Sequence, residues 1–243
     1  MVKNFLQSKI EELKRVKTAV VLLSGGLDSY VSLAVAKEYY DVKLALTFDY
    51  GQRAAEDEAA AAAKICEKYG VGHCVVKIPF LAEISKASGC ALHDREKGLE
   101  FENLDMESMK AVWVPNRNGL FLNVAASYCD AYNYDCIIFG ANKEEAGTFS
   151  DNSTKFCKMA DSFFMYSTNK HPKVFAPLMN MEKHRIINLA VKLGVDLSLL
   201  KSCYNSAADN EGHKSHCGVC ESCKRLKAAI LKSENKDLIK LFF

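Results

Sequence analysis

A short segment near the start of the 243-residue sequence combines glycines with hydroxyl and carboxyl side chains. It reads Ser24-Gly25-Gly26-Leu27-Asp28-Ser29 and follows a continuous apolar run over residues 18–23. Glycines let backbone N–H groups approach an anion closely, and serine hydroxyls can donate hydrogen bonds to phosphate oxygens. A carboxylate at Asp28 would repel phosphate unless a Mg²⁺ ion lay between the two. The segment therefore predicts a cradle for pyrophosphate with a magnesium ion. The structural alternative is a plain glycine turn before a helix.

Four of the ten cysteines stand close together near the end of the sequence. Their spacing is C-x13-C-x2-C-x2-C, and they are Cys203, Cys217, Cys220 and Cys223. Thiolates bind zinc strongly, and four of them complete a tetrahedral shell, which is typical of a structural site rather than a catalytic one. An iron–sulfur cluster and a set of reduced thiols without metal are the alternatives that this spacing leaves open.

Alternating strand and helix patterns surround these two motifs. Apolar runs rich in β-branched residues predict strands at residues 18–23, 42–48, 73–78, 135–140 and 173–178. Amphipathic segments predict helices at residues 3–16, 28–39, 54–69, 119–132, 153–167, 182–193 and 220–232. Alternation this regular predicts an α/β fold with a doubly wound, mostly parallel sheet.

The same patterns set the expected domain organisation. The alternation ends near residue 196, so we expect an α/β domain over residues 1–196 and a small zinc-binding helical segment over residues 197–243, packed on it. Residues 81–111 are polar and lack a clear period, so we expect an irregular excursion that could serve as a lid. Ligands of open parallel sheets bind beyond the carboxyl ends of the strands, which is where the glycine-rich segment lies.

Composition and charge narrow the classes of function. The net charge is +2 and basic residues form no long run, which argues against a stable complex with nucleic acid. No apolar stretch approaches the roughly 20 residues of a membrane span, and the first residues lack the apolar core of a signal peptide. Clustered cysteines in a reducing compartment are more often metal ligands than disulfides. A cytoplasmic protein is therefore expected.

Several motifs together resemble a known family. The glycine-rich segment after a buried strand is similar to the PP-loop of ATP pyrophosphatases, and its pairing with four C-terminal cysteines resembles the 7-cyano-7-deazaguanine synthases, the QueC family. Residues 48–53, FDYGQR, look like that family's F-x-Y-x-Q-R. Residues 114–118, VPNRN, look like its V-P-x-R-N, and Pro177-Leu178 followed by Lys183 looks like its P-L-x-x-x-x-K. The resemblance covers nearly the whole chain.

The resemblance implies a fold, a reaction and a set of site residues. The fold would be adenine nucleotide alpha hydrolase-like, the protein a homodimer, and the cofactors ATP, Mg²⁺ and Zn²⁺. The reaction would convert 7-carboxy-7-deazaguanine and ammonia to the 7-nitrile through an acyl-adenylate and an amide, releasing AMP and pyrophosphate. The implied catalytic residues are Asp28, Ser29, Arg117 and Lys183. The implied nucleotide-binding residues are Ser24, Gly25, Gly26, Leu27, Asp28, Ser29 and Gly140. The implied substrate-binding residues are Tyr50, Gln52, Arg53, Arg117 and Asp151.

One segment departs from the family pattern and leaves the acyl acceptor open. Residues 144–153, EEAGTFSDNS, resemble an E-E-A-x-T-F-x-D-N-S version of the substrate motif, but Ser150 stands where proline is usual. Asp151 would still accept hydrogen bonds from a guanine-like edge. The alternatives are the same adenylation with a protein or nucleic-acid amine as acceptor, a tRNA-thiolating PP-loop enzyme, and a nucleotide-binding module without catalysis.

Overall fold

A parallel sheet runs through the centre of the part of the chain that the structure describes. The structure is a computed structural model, and it describes residues 17–93, 98–99, 106–205 and 216–243. Within these residues the sheet has five strands in the order β3-β2-β1-β4-β5, and every neighbouring pair is parallel. The strands are β1 (Thr18–Leu22), β2 (Asp41–Asp49), β3 (Gly72–Lys77), β4 (Cys136–Ile138) and β5 (Lys173–Phe175). This order reverses direction at β1, so the predicted doubly wound sheet is confirmed.

Helices cover both faces of this sheet. They are α1 (Leu27–Ala36), α2 (Ala55–Tyr69), α3 (Phe80–Ala87), α4 (Met106–Ala111), α5 (Arg117–Tyr132), α6 (Lys143–Ala146), α7 (Thr154–Ser167), α8 (Lys183–Lys192), α9 (Glu221–Lys232) and α10 (Ile239–Phe242). Short 3-10 turns lie at Ala91–His93, Ser150–Asn152, Leu197–Leu199 and Lys236–Leu238. Buried residues of α1, α2, α8 and α9 form one core, and those of α3, α5 and α7 form the other.

The central strand explains why residues 18–23 are apolar without interruption. Ala19 and Val21 of β1 belong to the first core, whereas Val20 and Leu22 belong to the second. Since successive side chains of a strand point to opposite faces, a strand covered on both sides must be apolar at every position. This strand delivers the glycine-rich segment to the carboxyl edge of the sheet.

The C-terminal segment packs on the same body. Leu226, Ala229 and Ile230 of α9 are buried in the first core together with Ile186 and Ile187 of α8. The segment therefore shares apolar core with the α/β part. The division at residue 196 stays a prediction.

The structure corrects the sequence prediction between residues 81 and 111. Instead of irregular chain, this stretch contains most of α3, a 3-10 turn and α4. Residues 94–97 and 100–105 lie outside the described residues. Helix α3 has only eight residues and buries only Leu81 and Ser85, which is too short a pattern to show a period. The predicted helix over residues 3–16 also lies outside the described residues.

Two strands end earlier than the sequence patterns predicted. β4 ends at Ile138 rather than at residue 140, and β5 ends at Phe175 rather than at residue 178. The proline at position 177 lacks the N–H that continued pairing needs.

No helix among the described residues is long and apolar enough to cross a membrane.

Candidate active site

The segment of residues 24–29 forms a tight loop around the N-terminus of α1; we call it the phosphate loop. Gly25 has a φ of +78°, a conformation that favours glycine. The Ser29 hydroxyl accepts a hydrogen bond from the Ser24 N–H at 3.2 Å and donates one to the Gly26 carbonyl at 3.1 Å. The loop borders a cavity of about 200 Å³, the main cavity. Backbone N–H groups at a helix N-terminus of this kind suit an anion.

Gly140 brings the end of β4 against this loop. A Cβ atom on Gly140 would lie 2.8 Å from both the Cα and the N of Ser29, closer than real Cβ atoms approach backbone. Gly140 also lines the main cavity, and its part in nucleotide binding stays a prediction. The close packing of loop and strand therefore requires glycine here.

Asp28 and Lys183 meet in the main cavity with a second carboxylate, Glu145. The Lys183 ammonium lies 2.9 Å from Asp28 Oδ2 and 2.8 Å from Glu145 Oε1, and the Asp28 and Lys183 side chains are only 14% and 12% exposed. Burial lowers the pKa of Lys183, but the two carboxylates outweigh that effect and raise it. Burial raises the pKa of Glu145, and Lys183 more than reverses the rise. Lys183 is therefore a permanent cation between two carboxylates.

The other oxygen of Asp28 fits a divalent cation. Asp28 Oδ1 is buried and has no hydrogen-bond partner among the described residues. Burial raises the pKa of Asp28, while Lys183 opposes the rise. A buried carboxylate oxygen beside a phosphate-binding loop is the type of ligand that Mg²⁺ takes together with phosphate oxygens.

Arg117 and Tyr50 lie across the main cavity from that cluster of charges. Arg117 is the first residue of α5. It follows Asn116, whose φ of 52° lies in the left-handed region. Its Nη1 donates to the Tyr50 hydroxyl at 3.4 Å, and it forms no ion pair within the described part of the chain. Burial lowers the pKa of Arg117, but Tyr50, Tyr204 and Asp151 together raise it. A cavity cation that is not held in a close ion pair can bind an anionic ligand.

A smaller cavity of about 50 Å³ adjoins the main cavity, and Arg117 lines both. Asp151 lines it, as do the rings of Trp113 and Phe149, which stack 5.1 Å apart at 16°. Burial raises the pKa of Asp151, and Arg117 lowers it. Flat aromatic walls with a carboxylate suit a planar heterocycle that carries N–H donors.

Gln52 and Arg53, predicted to bind substrate, do not line either cavity in the described structure. The Gln52 amide is 6% exposed; it accepts from the Tyr50 N–H at 3.0 Å and donates to the Phe48 carbonyl at 3.0 Å. Arg53 Nη1 donates to Asn205 Oδ1 at 3.4 Å. In this structure Gln52 shapes the loop that carries Tyr50, so its contact with substrate remains a prediction.

Several residues of the main cavity were missed by sequence reasoning. Glu145 lies inside the EEAGTFSDNS segment, so that motif was a usable signal. Lys201, Ser202 and Tyr204 lie next to Cys203, and the cysteine spacing there predicts a metal site rather than a cavity wall. Among the missed residues that line the main cavity are Glu58, Asn118, Glu145, Lys201, Ser202 and Tyr204.

The four clustered cysteines are brought together as the spacing predicted. Their Sγ atoms all lie within 4.8 Å of one another, and those of Cys217 and Cys223 are 3.9 Å apart. Sulfurs bound to one tetrahedral zinc at about 2.3 Å lie about 3.8 Å from each other. The residues therefore fit a zinc ion.

The cysteine cluster is tied directly to the phosphate loop. The Lys201 N–H donates to the Gly25 carbonyl at 2.9 Å, and the Leu27 N–H donates to the Ser202 hydroxyl at 3.4 Å. The Ser202 N–H in turn donates to His216 Nε2 at 3.1 Å. The two residues that precede Cys203 thus hold the loop in place.

Comparison with known proteins agrees with this arrangement. Residues 18–234 match the family described as "Queuosine biosynthesis protein QueC". A "7-cyano-7-deazaguanine synthase" of Carboxydothermus hydrogenoformans is 46% identical over 87% of this chain and 97% of its own length. One of Methanosarcina barkeri is 40% identical over 90% of this chain and 96% of its own length. Among solved structures, the NMN synthetase of Francisella tularensis aligns over 96% of this chain and 91% of its own chain, with 16% identity and a TM-score of 0.45.

Proposed function

This chain belongs to the QueC family, and we propose that it converts 7-carboxy-7-deazaguanine to 7-cyano-7-deazaguanine with ATP and ammonia. The proposal is supported by relatives of that name that are 40% and 46% identical over nearly their full length. It is also supported by the joining of a phosphate loop and a cavity for a planar heterocycle at one edge of the sheet.

The placement of Arg117 is the observation that carries this proposal. Its guanidinium lines both cavities and forms no close ion pair with a carboxylate among the described residues, although Asp151 and Glu58 lie near enough to interact with its charge. A substrate with a flat ring in the smaller cavity would place a ring carboxylate against Arg117, facing the phosphate loop. The carboxylate and the α-phosphorus of ATP would then be neighbours, which is the geometry that adenylation needs.

The reaction follows from this placement without a protein nucleophile. The substrate carboxylate attacks the α-phosphorus of ATP, and pyrophosphate leaves into the N–H groups of the phosphate loop. Ammonia displaces AMP and gives the amide. A second ATP activates the amide oxygen, and loss of AMP gives the nitrile. Lys183 adds positive charge beside the phosphates, and Arg117 orients the carboxylate.

Two metal ions complete the proposal. Asp28 Oδ1 would hold Mg²⁺, which neutralises charge on the phosphates. The four clustered cysteines would hold Zn²⁺ in a closed, structural shell. The roles proposed for Arg117 and Lys183 do not depend on either ion.

Transfer to a protein or nucleic-acid amine is the second candidate, and the structure favours ammonia. The sequence departure that raised this candidate is Ser150, which is exposed and lines neither cavity. A tRNA-thiolating reaction is disfavoured because no cysteine is among the described residues that line the two cavities. We also propose that the protein is cytoplasmic and forms a homodimer.

The test is a reaction of purified protein with carboxy-deazaguanine, ATP, Mg²⁺ and ammonium. We expect AMP and pyrophosphate, and a product with the mass of the nitrile. Arg117→Lys should raise the KM for the acid by about tenfold or more, since lysine cannot pair with a carboxylate bidentately. Arg185→Lys, an exposed position on α8, is the matched control. ADP as a product would refute the adenylation, and an acylated partner protein would assign the second candidate.

A further inference from the structure

One carboxylate of the main cavity belongs neither to the phosphate loop nor to the Lys183 cluster. Glu58 lies in the first turn of α2 and lines the same cavity as Asp28 and Arg117. Its backbone oxygen is 3.6 Å from the position that a Cβ would take on Gly25, so the start of α2 rests against the phosphate loop. Glu58 is therefore close to the site of adenylation.

A buried amide fixes one oxygen of this carboxylate. Gln52 Nε2 donates to Glu58 Oε2 at 2.9 Å, and Gln52 itself is held by the Phe48 carbonyl and the Tyr50 N–H. Glu58 Oε1 accepts no hydrogen bond from any residue that the structure describes. Nor does Glu58 form an ion pair there, whereas Asp28 and Glu145 both contact Lys183. Glu58 thus offers an oriented oxygen without a bound cation.

The surroundings of Glu58 favour proton exchange near neutral pH. Burial raises its pKa to about 7, against the lowering effects of the Gln52 hydrogen bond and of two nearby cations. The groups that face Glu58 are Gln52, Tyr50, Arg117 and Lys201 from other elements, and Asp57 from its own helix. Tyr50 stays neutral, because burial raises its pKa to about 12. A base is most effective when its pKa lies near the working pH.

We propose that Glu58 is the general base that takes a proton from ammonium in the amide-forming step, an inference that rests on the proposed function. Ammonium has no lone pair, so it must lose a proton before it can attack. That proton passes to the Glu58 carboxylate and leaves neutral ammonia. The nitrogen lone pair forms the C–N bond, the bond from the acyl carbon to the adenylate oxygen breaks, and AMP leaves with that electron pair. The new amide nitrogen releases its extra proton to water.

The first test separates the two half-reactions in Glu58→Gln. Glutamine keeps the size and the hydrogen bond to Gln52 but cannot accept the proton. We expect acid-dependent exchange of pyrophosphate into ATP within about twofold of the wild type, and ammonium-dependent amide formation reduced by about 10²–10⁴-fold. Hydroxylamine, which is already neutral at the assay pH, should restore most of the rate. Glu56→Gln, on an exposed position of the same turn, is the matched control and should behave as wild type.

The second test is the pH profile at fixed total ammonium. In the wild type, amide formation should fall as pH drops below about 7 and reach a plateau above it, because the carboxylate is the form that accepts a proton. In Glu58→Gln the rate should keep rising with pH in proportion to free ammonia. Equal losses with ammonium and hydroxylamine, or loss of pyrophosphate exchange, would overturn this role. Failure of the wild type itself to adenylate the acid would instead refute the proposed function.

Discussion

Asp28 is the residue on which the chemistry of the phosphate loop depends most directly. One of its oxygens pairs with Lys183 and the other is buried without a partner among the described residues. Asp28→Asn removes the charge but keeps the shape. We expect release of pyrophosphate to fall by about a hundredfold or more, because transition-state charge loses its stabilisation.

The variant should remain folded, since Asp28 contributes no apolar contact to either core. Circular dichroism and thermal unfolding would check this. Asp41→Asn, at an exposed ion pair with Lys43, is the control for loss of one negative charge. Wild-type turnover in Asp28→Asn would contradict the role of this carboxylate.

At the scale of elements, the contact between Gly140, which follows β4, and the phosphate loop leaves no room for a larger side chain. Gly140→Ala would force a Cβ to within 2.8 Å of the Ser29 backbone. Either the loop or the strand end must move, so we expect a loss of about 1–3 kcal/mol in the free energy of unfolding. The affinity for ATP should fall as well, as measured by calorimetry.

Gly147→Ala is the control for this experiment. Gly147 follows α6 with a φ of −69°, and an added Cβ would come no closer than 3.4 Å to the Glu144 carbonyl oxygen. It should change neither stability nor ATP affinity appreciably. An unaltered ATP affinity in Gly140→Ala would show that the loop tolerates displacement.

The connection between the cysteine cluster and the phosphate loop gives a further prediction at this scale. If a chelator removes zinc, residues 201–204 lose their anchor, and the hydrogen bonds to Gly25 and Leu27 should open. We expect amide hydrogen exchange at Leu27 and Lys201 to rise by about tenfold or more, while Val20 and Val21 in the central strand stay protected. Equal exchange with and without the metal would argue against a structural link.

At the scale of the whole molecule, the sheet was predictable because its signals are local. Most strands are apolar runs and several of the helices between them have an amphipathic period, so alternation alone implied parallel pairing. The order β3-β2-β1-β4-β5 was not predicted, because right-handed connection alone does not fix the strand at which the order reverses. The prediction for residues 81–111 was wrong because α3 and α4 are too short to show a period. Leu81 of α3 is buried in the second core, a contact that the local sequence does not reveal.

The site was predictable only where a motif carried it. The phosphate loop and the four cysteines are contiguous or regularly spaced, and the structure brings each set together. Glu58 belongs to the same cavity, yet it stands in a helix that looks like ordinary charged surface in the sequence. Its role depends on which helix start faces the cavity, and that is a property of tertiary packing alone.

The position of β1 in the sheet also has a consequence during protein synthesis. β1 pairs with β2 on one side and with β4 on the other, and β4 is synthesised only after β2, β3 and α5. Until then one edge of the most apolar strand is open, and Gly140 is not yet present to pack against Ser29. A nascent chain halted before β4 would therefore offer chaperones an unpaired apolar edge rather than a nucleotide site.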